Sequence, residues 1–219
     1  MKIALFDFCE TLANFQTADA YVRFVQSNSP VTHKVTKTIY ELLNKSHLLG
    51  VPRRMFPESS MDKKWIMRQM KGRKKEEMVS LAKLYYEKKV KPNLIPEVIE
   101  ELKSRQKDGY KIYLISAGYG IYLQFFAEEF KVDGIIATEI AFKDGVCLGR
   151  FEGPDCMFSH KIEYIKNGIQ DKHYDEWYAY SDSITDLPML ELVGHPIVIS
   201  KGKSQKWAEK RDYQQIIWQ

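Results

Sequence analysis

Residues 3–6, Ile-Ala-Leu-Phe, form a short apolar run that stops abruptly at an acid, Asp7. An unbroken apolar run of this length marks a strand buried on both faces, as in a parallel sheet covered by helices. Further short runs fit as its partners. One spans 111–115 and ends in Ser116-Ala117-Gly118; another spans 177–180 and ends in Ser181-Asp182-Ser183-Ile184-Thr185-Asp186. Strands are also expected over 134–138 and 196–199. Helical spacing recurs between them, over 97–107, 121–129, 159–166, 187–192 and 204–210. Pro96 suits the first position of the first of these helices and Gly109 its C-terminal stop. Lys143-Asp144-Gly145 between short apolar runs reads as a hairpin turn. Strands alternating with helices predict an α/β fold with right-handed crossovers and a parallel sheet.

Residues 13–92 interrupt this alternation. Apolar residues recur there at helical spacing over 18–26, 35–43, 63–70 and 74–88, and Pro52 and Pro57 punctuate a connector. The expectation is a helical insert of about eighty residues behind the first strand. Tyr40, Trp65, Tyr85 and Tyr86 read as the core of that insert. Its basic residues Arg53, Arg54, Arg68, Lys71, Arg73, Lys74 and Lys75 read first as a solvated face. One or two of them, Arg53 and Arg54 foremost, are candidates to reach a second anionic group on a substrate.

Composition narrows the function classes. Thirty-three bases against 29 acids leave a net charge of +4, which permits an anionic substrate. It lacks the concentrated basic face of a nucleic-acid binder, so no nucleic acid is expected. No apolar run approaches the ~18 residues of a membrane-spanning helix, nor does the start of the chain read as a signal peptide, so no membrane association is expected. Cys9, Cys147 and Cys156 are odd in number and lack CxxC spacing, which argues against a disulfide framework or zinc site and suits a reducing cytoplasm. No partner protein is readable.

In an open α/β sheet, ligands bind beyond the carboxyl ends of the strands. Asp7, Ser116, and Asp182 with Asp186 all fall at such ends. Lys161 opens the helix preceding the strand of Asp182. Asp7, taken alone, is either a turn-capping aspartate or a nucleophile or metal ligand. Clustered carboxylates repel unless a divalent cation sits among them, and oxygen-only ligands favour Mg²⁺. A serine at a helix N-terminus together with a lysine makes a phosphate-binding pair.

In order and spacing, Asp7-Phe8-Cys9-Glu10-Thr11, Ser116-Ala117-Gly118, Lys161 and Ser181-Asp182-Ser183-Ile184-Thr185-Asp186 resemble the four motifs of the haloacid dehalogenase-like (HAD) hydrolases. The resemblance spans nearly the whole chain and is nearest to the phosphoserine phosphatase-like branch. It implies a Rossmann-like core of residues 1–14 and 93–219 and an inserted all-helical cap of residues 15–92. It further implies a Mg²⁺-dependent phosphatase. Asp7 would attack phosphorus and form an aspartyl-phosphate, with Mg²⁺ held by Asp7, the main-chain carbonyl of Cys9 and Asp182, and supported by Asp186. Ser116, Ala117, Thr11 and Lys161 would bind the phosphoryl group. The implied substrate is a small phosphorylated metabolite, such as an amino-alcohol, sugar or polyol phosphate of cell-surface polysaccharide synthesis.

Two positions depart from the family pattern. The residue two after the nucleophile is an aspartate in these phosphatases, serving as general acid and base; here it is Cys9. A thiol titrating near ~8.5 is a poor proton shuttle. Glu10 is a candidate substitute, although neighbouring side chains on an extended segment point apart. The glutamate that pairs with the substrate ammonium in phosphoserine phosphatases falls on the neutral Gln16, which disfavours phosphoserine. Three readings follow: a phosphomonoesterase, a phosphotransferase using an acceptor other than water, and a binding module that has kept the fold.

Overall fold

In a computed structural model, the structure describes residues 1–29 and 61–219. Strand β1 (Ile3–Phe6) leads to helix α1 (Thr17–Asn28). Then come α2 (Met61–Arg68) and α3 (Lys75–Tyr85), which runs on as a wider π-helical turn, Tyr86–Val90. The second half alternates α4 (Pro96–Lys107), β2 (Lys111–Tyr119), α5 (Gly120–Phe130), β3 (Gly134–Lys143), β4 (Val146–Glu152), α6 (Phe158–Gly168) and β5 (Tyr178–Ser181). It closes with α7 (Leu187–Leu192), β6 (His195–Lys201), α8 (Lys206–Glu209) and β7 (Gln214–Trp218). The helix expected over 35–43, the Pro52/Pro57 connector, Tyr40, Arg53 and Arg54 lie outside the described residues.

The seven strands form one sheet in the order β4-β3-β2-β1-β5-β6-β7. All neighbours run parallel except the β3–β4 hairpin, which turns at Asp144 and Gly145, both at positive φ. This is the α/β fold that the apolar runs predict. β1 lies at the centre, and both of its faces are covered. Ala4 and Phe6 pack among residues of α1, α3, α4 and α5, while Ile3 and Leu5 pack with Trp177, Ile165 and Leu190 on the other side. Phe6 stacks on Tyr180 of β5 with ring centroids 4.0 Å apart.

Two strands differ from expectation. β2 runs past Ser116 to Tyr119, with a register shift against β3 between those residues. α5 therefore starts at Gly120, and Ser116 stands in a kinked strand end rather than at a helix N-terminus. β7 carries no compact apolar run, because its edge position buries few of its side chains. Among the basic residues of the insert, Arg68, Lys71, Lys74 and Lys75 are exposed. Arg73 is not: it is buried and lies 3.6 Å from Glu77. Cys147 and Cys156 are buried, and all three thiols are free. Among the described residues no helix is long and apolar enough to cross a membrane.

Candidate active site

The site lies where β1, β2 and β5 end side by side. The N–H of Asp7 still donates to the Tyr180 carbonyl at 2.9 Å, so the acid is held by the last rung of the ladder. The chain then turns sharply. The Leu12 and Ala13 N–H groups both donate to the Phe8 carbonyl, and Glu10 adopts a left-handed conformation (φ 59°). Phe8 and Leu12 anchor this turn in the core. The segment is therefore not extended, and the turn, not strand alternation, sets the direction of Glu10. Gln16 donates a hydrogen bond to the Glu10 carboxylate at the exposed rim.

The turn brings Thr11 back beneath Asp7. Its hydroxyl accepts from the Asp182 N–H at 3.0 Å and lies 3.1 Å from Asp182 Oδ1 and 3.4 Å from Asp7 Oδ2. Thr11 is thus a buried brace between the ends of β1 and β5. Lys161, in the first turn of α6, is buried and reaches Asp7 Oδ1 at 2.9 Å and Asp186 Oδ2 at 2.7 Å. Ser181 also donates to Asp186 Oδ2, at 2.7 Å. Ser116 is fully buried, and its hydroxyl accepts the Gly118 N–H at 3.0 Å.

The electrostatics follow from this crowding. Burial raises the pKa of Asp7 to about 6, with Lys161 opposing the shift and Asp186 adding to it. Burial and the charge of Asp7 raise Asp182 to about 7. Burial works against the Lys161 ammonium, but Asp186 and Asp7 outweigh it and hold the group charged. Two carboxylates above their ordinary range mark a place that favours added positive charge. Their oxygens suit a hard divalent cation such as Mg²⁺. Among the described residues no cluster of three or more His, Cys, Asp or Glu side chains is arranged to hold a metal ion, and Asp186 is engaged by Lys161 and Ser181. A cation could therefore be held by Asp7, Asp182 and the Cys9 carbonyl, with water or substrate oxygens completing its shell.

The Cys9 thiol is engaged by α1. Its sulfur lies 2.9 Å from the Thr17 hydroxyl, which in turn lies 2.7 Å from the Tyr122 hydroxyl. Burial, reinforced by Asp7, pushes the thiol up to about 11. A group that weakly acidic neither gives nor takes a proton readily near neutrality.

A cavity of about 500 Å³ opens over these groups. Asp7, Cys9, Ser116, Ala117, Lys161, Asp182 and Asp186 line its floor, and Glu10, Gln16, Asp19, Lys63 and Phe158 line its sides. Thr11 lies beneath. Sequence reasoning missed Lys63, Asp19 and the Thr17–Tyr122 pair. Lys63 had no distinguishing signal, being one of many bases in its stretch. Thr17 and Tyr122 are 105 positions apart, and only packing brings them together.

Comparison with known proteins follows the same lines. The family model for haloacid dehalogenase-like hydrolase matches residues 4–191. A phosphoserine phosphatase of Methanocaldococcus jannaschii is 27% identical, with 99% of this chain and 96% of the relative aligned. A histidinol-phosphatase of Neisseria meningitidis serogroup C is 22% identical over 91% of this chain and 90% of the relative. Among solved structures, a protein of unknown function from Bordetella pertussis Tohama I superposes with a TM-score of 0.80 at 20% identity, over 98% of this chain and 97% of that one.

Proposed function

The chain belongs to the haloacid dehalogenase-like hydrolases, in their phosphoserine phosphatase-like branch, a phosphoric monoester hydrolase by kind, and from that premise we propose that it cleaves a small phosphorylated metabolite through an aspartyl-phosphate on Asp7. The observation that carries the reading is the convergence of Asp7, Lys161, Asp182 and Asp186 at the floor of one cavity. Asp7 Oδ1 is held by Lys161, so the carboxylate is oriented before substrate arrives. It attacks phosphorus as the ester P–O bond breaks, and the leaving oxygen takes its proton from solvent water, since the Cys9 thiol is too weak an acid to supply it. Water then attacks the aspartyl-phosphate, which releases inorganic phosphate and regenerates Asp7. Splitting one hard displacement into two lowers the barrier of each. The Ser116 hydroxyl, the Ala117 main chain and Lys161 bind the phosphoryl oxygens. Asp7, Asp182 and the Cys9 carbonyl would hold Mg²⁺, with Asp186 in support through Lys161, and the ion would supply the charge neutralisation that lets an anionic nucleophile approach an anionic phosphate.

Residues 15–92 act as a cap in this reading, supported by the joint lining of the cavity by Ala18, Asp19 and Lys63 with the strand ends. Gln16 bonds to Glu10 at the rim, and the carboxylates of Glu10 and Asp19 line the cavity. That lining suits an amino-alcohol, sugar or polyol phosphate, whose ammonium or hydroxyls would donate to them. Cys9 favours a second reading, in which the phosphoryl group passes to an acceptor other than water, because its thiol is a poor general base for activating water. A binding protein of impaired catalysis is the limiting case.

A phosphate-ester panel with Mg²⁺, run on wild type and Asp7→Asn, tests the proposal. Phosphate release by wild type at least ~100-fold above Asp7→Asn is expected, by analogy with the loss of a nucleophile. Release on no ester, or release unchanged in Asp7→Asn, overturns it; release only with an added acceptor selects the second reading.

A further inference from the structure

The geometry points to Lys63, on α2, as a positioning residue for the phosphoryl-binding turn 116–118, an inference that rests on the phosphatase reading. Lys63 is buried, although it comes from a stretch of exposed bases. Its ammonium donates to the Ala117 carbonyl, to Asp155 Oδ1 at 2.6 Å and to Thr138 Oγ1 at 3.3 Å. An ammonium has three donors, and these acceptors are main-chain and side-chain groups of the protein, so Lys63 acts on the site through them. The rings of Tyr119 and Phe151 flank it at 5.1 and 5.3 Å.

The effect passes through one peptide group. In a trans peptide the carbonyl and the following N–H point in opposite directions. Holding the Ala117 carbonyl toward α2 therefore turns the Gly118 N–H the other way, where it donates to Ser116 Oγ at 3.0 Å. With that lone pair occupied, the hydroxyl proton of Ser116 is directed elsewhere, into the cavity that Ser116 lines. Asp155 and Thr138 complete the arrangement. Thr138 donates to Asp155 Oδ1 at 2.5 Å and accepts the Cys156 N–H at 3.1 Å, which ties in the segment leading to α6 and Lys161. One ammonium thus links α2 to both phosphoryl-binding segments, and the cradle is complete only with α2 seated.

Lys63→Met alone would strand the Asp155 charge, whose Oδ2 is buried without a hydrogen-bond partner among the described residues. Such a loss of one partner destabilises strongly. Lys63→Met/Asp155→Asn removes both charges and leaves the Ala117 carbonyl with the neutral Thr138 hydroxyl, 3.2 Å away, in place of the ammonium. Inorganic phosphate binding with Mg²⁺ present, measured by calorimetry, and the KM and kcat for whichever ester is cleaved are then compared with wild type. In the double variant, the phosphate Kd and KM rise about tenfold, as expected for weakening one hydrogen bond to a charged group, while kcat changes less. Asp155→Asn alone lowers the melting temperature and leaves the phosphate Kd within twofold of wild type. A double variant with wild-type Kd and KM, or an Asp155→Asn protein that loses phosphate as fully as the double variant, overturns the role of Lys63. Wild-type protein that neither binds phosphate nor cleaves any ester overturns the phosphatase reading and this inference with it.

Discussion

At the scale of single residues, Cys9 sets the chemistry apart. The thiol lies against Thr17 and is raised to about 11, so in the proposed reaction it would leave the leaving group without a proton donor at that position. Replacing it with aspartate would introduce a carboxyl two residues from Asp7. General acid and base catalysis is worth roughly 10²–10⁴-fold, and part of that gain is expected. Cys9→Asp should raise kcat on alkyl phosphates by about tenfold or more, and by less on aryl phosphates, whose leaving groups need little help. Parallel rate measurements on the two ester classes check this. Equal gains on both would mean that the new carboxyl acts on something other than the leaving oxygen. Sequence comparison located this departure, but it could not show where the sulfur points, because Thr17 and Tyr122 arrive from α1 and α5.

At the scale of elements, the buried strands were the most legible part of the chain. β1 and β5 are central, short and apolar, and their pattern admits little else. β7 was illegible because an edge strand needs no continuous apolar run. The end of β2 lies beyond the expected 115 because Ser116-Ala117-Gly118 carries turn residues, while tertiary pairing with β3 carries the strand on to Tyr119. The join between β5 and β6 offers a test of packing. Gly194 donates its N–H to the Tyr174 carbonyl at 2.9 Å, and a Cβ there would come within 1.9 Å of the Asp175 carbonyl oxygen. Backbone cannot move aside as a flexible side chain can. Gly194→Ala is expected to cost about 1–3 kcal/mol or more, as for an overpacked core. A lower denaturant midpoint with an unchanged m-value would show it; an unchanged midpoint would refute the tight contact.

For the whole molecule, the site opposes the stability of the metal-free fold. Asp7 and Asp182 have folded-state pKa values of about 6 and about 7, above the ~3.9 of an unfolded aspartate. Between these limits the native state binds more protons than the unfolded state. Stability from these two groups is therefore greatest below about pH 4 and falls as pH rises toward 7. A bound divalent cation reverses the sign, because it favours the ionised carboxylates. Added Mg²⁺ should therefore raise the melting temperature more at pH 8 than at pH 5. Scanning calorimetry with and without Mg²⁺ at both values checks this, and an equal or larger rise at pH 5 would show that these carboxylates do not hold the ion.

The sequence alone determined the α/β alternation, the burial of β1 and the order of Asp7, Ser116, Lys161, Asp182 and Asp186 along the chain. These are local properties: a doubly buried strand must be apolar, and a strand-end acid must interrupt that run. Only the tertiary structure decided that Thr11 braces two carboxylates from below, that Cys9 turns toward Thr17, and that Lys63 leaves the basic stretch around it to hold the Ala117 carbonyl. The Thr11–Asp182 and Lys63–Ala117 meetings span long sequence separations, and the Cys9–Thr17 contact depends on how α1 packs against Tyr122 of α5. The sheet order and the packing of helices on it set those meetings, and no local pattern of residues encodes them.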